Sequence, residues 1–406
     1  MRRDVRERGF TIVELMVSIT ITSVVVAALY TVANSATETF NQQQRAAEMQ
    51  LRLRFAVEQL RADISRAGYM STPNSNTDPN ICPRPTSTTA TTQPFQAIEI
   101  ARDTTASTLI PNTTDNQYIT PAILRLTGNY ASVDEYTVAG IVGSTISLQN
   151  QTPQWARVDS GAEFNRIFIG ATGTRRLLRI TSPSGQTQFV QILSGSWQSS
   201  SSATLPTLNV SPAPTLIGDA TGGGATGCGI AGLGVGATVA PVTQVEYRLG
   251  NLRTTFPELY PTDPTEAAAK TDLVRREYEL GSAAAFNTRI VGEYAVDFDL
   301  TLARDEGGPM GVTMRSYPFG DAQITTQVGS IVTLGLTAHP ESVRSVTARL
   351  SVRDRVQDPA FGWVARANAT YPLTRFRVNT SLQGASRVRT LVTEVTLPNL
   401  AARNLR

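Results

Sequence analysis

Histidine, cysteine and lysine are nearly missing from this chain. Its 406 residues include one histidine, His339, two cysteines, Cys82 and Cys228, and a single lysine, Lys270. One histidine and no Cys-x-x-Cys pair fall short of the usual zinc ligand sets, so no metal site and no cofactor is expected. His339 precedes Pro340 in an expected turn, and no nucleophile motif is served by it, so it reads as a surface residue. No catalytic residue is assigned, and the chain is not read as an enzyme. Charge is scarce as well: 17% of residues are charged and the formal net charge is +3. Residues 1–9 place Arg2, Arg3, Arg6 and Arg8 against Asp4 and Glu7, a local balance of +2 that leaves the remainder at +1. So neutral a body lacks the field that non-specific nucleic-acid binding needs, and no nucleic-acid partner is expected. Between residues 10 and 67 there is neither proline nor glycine. Nothing in that stretch breaks a helix.

What fills the stretch is apolar first and amphipathic second. From Phe10 to Ala33 the only charge is Glu14. As a helix this part is roughly 36 Å long, enough to cross a bilayer with some tilt. The basic residues before it favour a cytoplasmic N-terminus, which puts the rest of the chain across the membrane. Ser18, Thr20, Thr22 and Ser23 need no function, because such hydroxyls bond back to helix carbonyls. Farther on, Met49, Leu53, Ala56, Val57, Leu60 and Ile64 recur at three- and four-residue spacing. They predict one buried stripe, with Arg52, Glu58, Arg61, Asp63 and Arg66 on the other surface. Gly68 is the expected C-cap, and Pro73 forbids resumption.

Glu14 is the anomaly. A carboxylate at the start of a membrane span costs about 2.5–3.5 kcal/mol on insertion scales. A secretory signal peptide, with Ala33-Asn34-Ser35 as a small-residue cleavage site, would be shorter and uniformly apolar. A plain single-pass anchor gives Glu14 no purpose. The arrangement of basic leader, Gly9, Phe10-Thr11 and Glu14 at the fifth position of the apolar run resembles the processing site of the type IV pilin and pseudopilin family.

Several expectations follow from that resemblance. Residues 1–9 form a cytoplasmic leader that a prepilin peptidase removes between Gly9 and Phe10, after which the Phe10 amine is methylated. Gly9 suits a scissile bond that must enter a tight site. Glu14 faces the N-terminal amine of a neighbouring subunit in the filament, a buried pair whose breakage typically costs about 3–5 kcal/mol. The alternative is that Glu14 pairs with its own Phe10 amine, one helical turn back. LRADISRAGYM, VRSVTARLSVRD (343–354) and RVRTLVTEVTLPNLAARN (387–404) further resemble PilW-type minor pilins and J-type secretion pseudopilins. The implied fold is α+β: a pilin-like lollipop whose long N-terminal helix is transmembrane over 10–33 and amphipathic over 34–68. It packs on a C-terminal antiparallel β-rich domain carrying a large insertion.

The implied function is that of a minor pilin in the tip or priming complex of a type IV pilus, serving assembly, adhesion and motility. Its partners would be other minor pilins, the major pilin, a PilY-type tip adhesin, the prepilin peptidase and the inner-membrane assembly machinery. It would reside in the bacterial inner membrane before assembly and at the pilus tip afterwards. A J-type pseudopilin of a type II secretion system, or a pilus-borne adhesion or DNA-binding module, are the alternatives.

Beyond residue 70 the chain reads as strands and loops. Residues 71–93 lack any apolar period. AILRLTG (122–128), TISLQ (145–149), RRLLRITS (175–182), FVQIL (189–193), QVEYRLG (244–250) and VGEYAVDFDLTLA (291–303) are expected strands, the last half-buried with Asp297 and Asp299 on a solvated face. Those two acids could also join Asp305 and Glu306 around calcium, but they lack the spacing of a calcium loop. Asp263, Pro264 and Glu266 predict one short helix. A β-rich elaboration is placed at 71–240 and the core domain at 241–406. Cys82 and Cys228 fall in loops on the oxidising side of the membrane, where a disulfide would close a long loop; two separate thiols are the alternative. Gly227-Cys228-Gly229-Ile230-Ala231-Gly232 matches a dinucleotide fingerprint in letters only, without the strand before it or the helix after.

Overall fold

A computed structural model of the chain describes residues 11–81, 94–111, 114–170, 176–214, 234–278, 285–307, 313–321, 323–324 and 339–401. The chain divides into two compact units, Met1–Leu51 and Arg52–Arg406. The main helix, α1, runs Ile12–Ser65. Its first part is long and apolar enough to cross a membrane by length and composition. There the hydroxyls of Ser18, Thr20 and Thr22 donate to the carbonyls of Glu14, Met16 and Ser18 at 2.6–2.7 Å, so the span satisfies its own polar groups.

Within the second unit, the end of α1 carries the buried stripe. Leu53, Ala56, Val57, Leu60 and Ile64 join one core with Leu124, Val245, Phe298 and Leu350. The helix stops as the spacing predicts, with Gly68 at φ +74°, a left-handed conformation that favours glycine. A Cβ on Gly68 would also meet the Leu400 side chain at 2.8 Å.

Fifteen strands follow among the described residues. They are β1 (Ile98–Arg102), β2 (Ala122–Gly128), β3 (Tyr136–Val142), β4 (Thr145–Leu148) and β5 (Leu177–Thr181). Next come β6 (Thr187–Ser196), β7 (Thr207–Ser211), β8 (Thr238–Gly250), β9 (Asp272–Tyr278) and β10 (Ala285–Gly292). Last are β11 (Ala295–Asp305), β12 (Met314–Ser316), β13 (Val343–Arg353), β14 (Arg375–Phe376) and β15 (Ser386–Thr396). All pair antiparallel. The α+β expectation therefore holds: a long N-terminal apolar helix followed by a large antiparallel β-rich domain.

Two features were not expected. Strands β8, β3, β4, β7, β6 and β5 pair in turn, and β5 pairs again with β8, so they close into a barrel. Closure removes free strand edges. Aliphatic residues from these strands fill it together with Trp155, Phe164 and Phe168. Gly195 of β6 makes room for a ring, since a Cβ there would sit 2.7 Å from Phe164. In sequence the other five barrel strands lie between β2 and β8, which are themselves paired. β8 thus belongs to both assemblies. Thr238–Val242 close the barrel against β5, while Thr243–Tyr247 pair with β2 and Gln244–Gly250 with β9. The boundary expected between 240 and 241 falls inside this strand.

The second feature concerns VGEYAVDFDLTLA, expected as one half-buried strand. The chain instead leaves β10 at Gly292 and enters β11 at Ala295 in the other sheet, ordered β12-β11-β13-β15-β14. Tyr294 makes the switch at φ +56°. β11 is buried on both faces, because Phe298 and Leu300 enter the core while arginines cover Asp297 and Asp299. The solvated face expected for these two acids is therefore corrected: a paired arginine reads in sequence like any surface arginine. Asp63, expected on the outer surface of α1, is likewise buried.

Candidate functional site

The apolar N-terminal segment is the candidate site, and Glu14 is its chemistry. Thr11 precedes the helix, and its hydroxyl accepts from the Glu14 N–H at 3.2 Å. In return, Glu14 Oε2 accepts from the Thr11 N–H at 3.0 Å and the Thr11 hydroxyl at 2.9 Å. This is a capping box: two N-terminal groups without a helical partner satisfy each other. The carboxylate also sits at the positive end of the helix dipole. Oε1 accepts no hydrogen bond among the described residues. Among the described residues one oxygen of Glu14 is thus engaged and the other is free. The sequence signal for this box is the letters Thr-x-x-Glu at 11–14. Around it, Ile12, Val13 and Met16 are 78%, 69% and 65% exposed, so the helix offers an apolar surface on all sides.

Gly9 and Phe10 lie outside the described residues. So do Cys82, Cys228 and the Gly227–Gly232 run.

The remaining candidates are structural. Asp297 lies 3.4 Å from both Arg349 and Arg366, and Asp299 lies 2.6 Å from Arg102 and 3.2 Å from Arg349. Burial, opposed by Arg349 and Arg366, pushes the Asp297 carboxyl up to about 6. Asp305 pairs with Arg344 at 3.1 Å, and Glu306 with Arg315 at 3.3 Å. These acids face arginines, and among the described residues no group of three or more His, Cys, Asp or Glu could hold a metal ion. His339 is half-exposed and contacts Glu341 at 2.8 Å. Asp263 caps the helix Pro264–Ala269 through the Thr265 and Glu266 N–H groups, as expected. Trp155 is buried and donates to the Gln198 carbonyl at 2.9 Å, which makes it a core residue.

Lys270 is a surprise, since a lone lysine in an arginine-rich chain invites no attention. It is fully buried, its Nζ 3.6 Å from Asp272 and 4.4 and 4.8 Å from the Tyr260 and Tyr294 ring centres. It donates to the Leu259 carbonyl at 2.6 Å. The cation thus pins Tyr294, where the chain changes sheets.

Residues 5–30 match the family model of the prokaryotic N-terminal methylation motif. Nothing matches among curated proteins or among solved structures. The matched span covers the positions of Gly9, Phe10 and Glu14 and the start of α1. This prepilin-type motif supports a type IV pilin or pseudopilin, which is a structural subunit. It implies processing by a prepilin peptidase and assembly with other pilins in a membrane machinery. The apolar helix and the motif together fit anchoring in the inner membrane before assembly.

Proposed function

We propose that the chain is a PilW-type minor pilin, a structural subunit of the complex that primes a type IV pilus and remains near its tip beneath a PilY-type adhesin. The observation that carries this reading is the methylation motif with a carboxylate held at the mouth of an outward-facing apolar helix. Peptidase cleavage after Gly9 would leave a new, methylated amine on Phe10. Glu14 is stored meanwhile in the Thr11 capping box, so its charge is partly satisfied before any partner arrives. Its free Oε1 then accepts the N-terminal amine of a neighbouring subunit, and the pair neutralises two charges that hydrocarbon disfavours.

Beyond the apolar span, Phe40, Leu51 and Phe55 are each about two-thirds exposed, which suits lateral packing on other subunits. The two downstream segments that resemble PilW-type proteins lie side by side as β13 and β15, paired from Ser345↔Thr396 to Arg353↔Val388. A disulfide between Cys82 and Cys228 belongs to the same reading, as both cysteines would reach the oxidising side of the membrane.

The J-type pseudopilin is the rival, since the same N-terminal physics serves a secretion piston. Deleting the gene and counting surface pili and secreted proteins separates them. Loss of pili with normal secretion is expected; intact pili with failed secretion would assign the chain to an exporter. Glu14→Ala should still be cleaved after Gly9, yet enter sheared fibres at least tenfold less than wild type. Equal incorporation would remove the pairing role from Glu14.

A further inference from the structure

Arg353 differs from the other deeply buried arginines. It is 2% exposed, like Arg349, and more enclosed than Arg275. Arg349 has Asp297 and Asp299 within 3.4 Å, and Arg275 has Asp63 and Glu277 within 2.7 Å. Among the described residues no carboxylate lies within ion-pair distance of Arg353, and Asp272, Asp354 and Glu266 act on it only at longer range. Its Nη1 donates to the Asp354 and Arg355 carbonyls at 2.9 and 3.2 Å, and its Nη2 reaches the Ala269 carbonyl only at 3.4 Å. The Nε–H is buried without an acceptor. The guanidinium otherwise faces the rings of Tyr294 and Phe376 at 5.1 and 5.7 Å. A buried cation without an anion costs several kcal/mol that a bound carboxylate would repay.

Arg353 also lines a cavity of about 200 Å³. Arg355, exposed and without an ion pair, lines it too. Two guanidinium groups that contact no carboxylate among the described residues therefore line one space. Asp263 and Glu266 line the same cavity. Asp263 spends Oδ1 on its helix cap, whereas the Glu266 carboxylate makes no hydrogen bond or ion-pair contact among the described residues and acts on Arg353 only through space. Val356 and Leu382 supply apolar surface. A plain anion would be attracted by one part of this lining and repelled by the other. A molecule carrying both charges a few ångströms apart meets each with its opposite.

We propose that this cavity binds a free α-amino acid, its carboxylate on Arg353 and Arg355, its ammonium on Glu266 and Asp263, and an aliphatic side chain against Val356 and Leu382. The volume suits a ligand of that size, being below the range of drug-sized pockets. The inference is independent of the assembly reading, because nothing in it involves α1 or Glu14.

The test is calorimetry of the full-length chain in detergent micelles, titrated with leucine, N-acetyl-leucine and leucine amide. Leucine should bind, and blocking either its amine or its carboxyl should weaken binding at least tenfold. Arg355→Ala and Glu266→Gln alter exposed side chains, so they should keep the unfolding transition of the parent while each losing tenfold or more in affinity. Arg353→Met removes a core cation and risks the fold, which is why the two exposed variants decide. Absence of leucine binding at 10 mM, or unchanged affinity in both exposed variants, would overturn the proposal. Equal binding of leucine and N-acetyl-leucine would overturn the zwitterion and leave a carboxylate pocket.

Discussion

The apolar span of α1 and the β-rich unit are inside out relative to each other. The span turns isoleucine, valine and methionine outward and holds one carboxylate by local hydrogen bonds. The unit 52–406 encloses aspartates, arginines and the only lysine among its aliphatic residues. Each arrangement is costly if left unpartnered, and each is resolved differently. Hydrocarbon and neighbouring helices can accept the first, since apolar surface carries no directional demand. The second is met mostly within the chain, with Arg353 the exception, because a buried charge without its counterpart is among the most damaging defects a fold can carry. Polar groups in the span bond to their own helix one turn away. Those in the unit reach across long stretches of sequence, as Asp63 does to Tyr247 and Arg275, both at 2.7 Å.

That contrast can be broken most sharply at Asp63. Asp63→Ala would take from the buried Arg275 one of its two carboxylates, leaving Glu277 at 2.6 Å, and would strip the Tyr247 hydroxyl of its acceptor; it should cost about 3–5 kcal/mol in denaturant unfolding. A loss below about 1 kcal/mol would mean that Glu277 alone suffices for Arg275.

A second test uses pH. Burial, opposed by Arg125, pushes the Glu99 carboxyl up to about 7. A folded-state value raised above the unfolded one contributes stability that is fully present below about 4.5 and lost as pH rises through about 7. Glu99→Gln removes that loss. At pH 8 the variant should be more stable than the parent by up to about 3 kcal/mol, a net figure that already includes the opposing Arg125 contact at 3.8 Å. The difference should vanish below pH 4.5. A variant less stable than the parent at pH 8 would show that the ion pair outweighs desolvation.

The smallest effect is expected in the span. Thr22→Val deletes a hydroxyl that among the described residues bonds to the Ser18 carbonyl, so helix stability in micelles should change by no more than about 0.5 kcal/mol. A larger change would mean that Thr22 serves another helix.

The same contrast explains what could be read from the letters. Periodic, local features were legible. The helix and its stop rest on three- and four-residue spacing and on Gly68, and AILRLTG coincides with β2 because turn residues bracket an apolar alternation. Burial of charge was not legible. Asp63, Asp297 and Lys270 look like surface residues until Arg275, Arg349 and the two tyrosine rings arrive from distant segments. Barrel closure was hidden for the same reason: the β5–β8 pairing joins strands separated by two others in sequence, and no local pattern announces which edge a strand will find. At the candidate site, Glu14 stood out as a charge in an apolar run, whereas its Thr11 partner required attention to helix ends.

The shared strand β8 has a mechanical meaning. A module tethered by a loose linker swings under load, and the linker extends before the module feels any force. Here the backbone passes from the barrel into the adjoining sheet without leaving the extended conformation, and hydrogen-bonded neighbours flank it in both. Tension applied along β8 would load these ladders in shear, with several bonds resisting together instead of opening one by one. The barrel is therefore built to move with the sheet, as a rigid outgrowth of it.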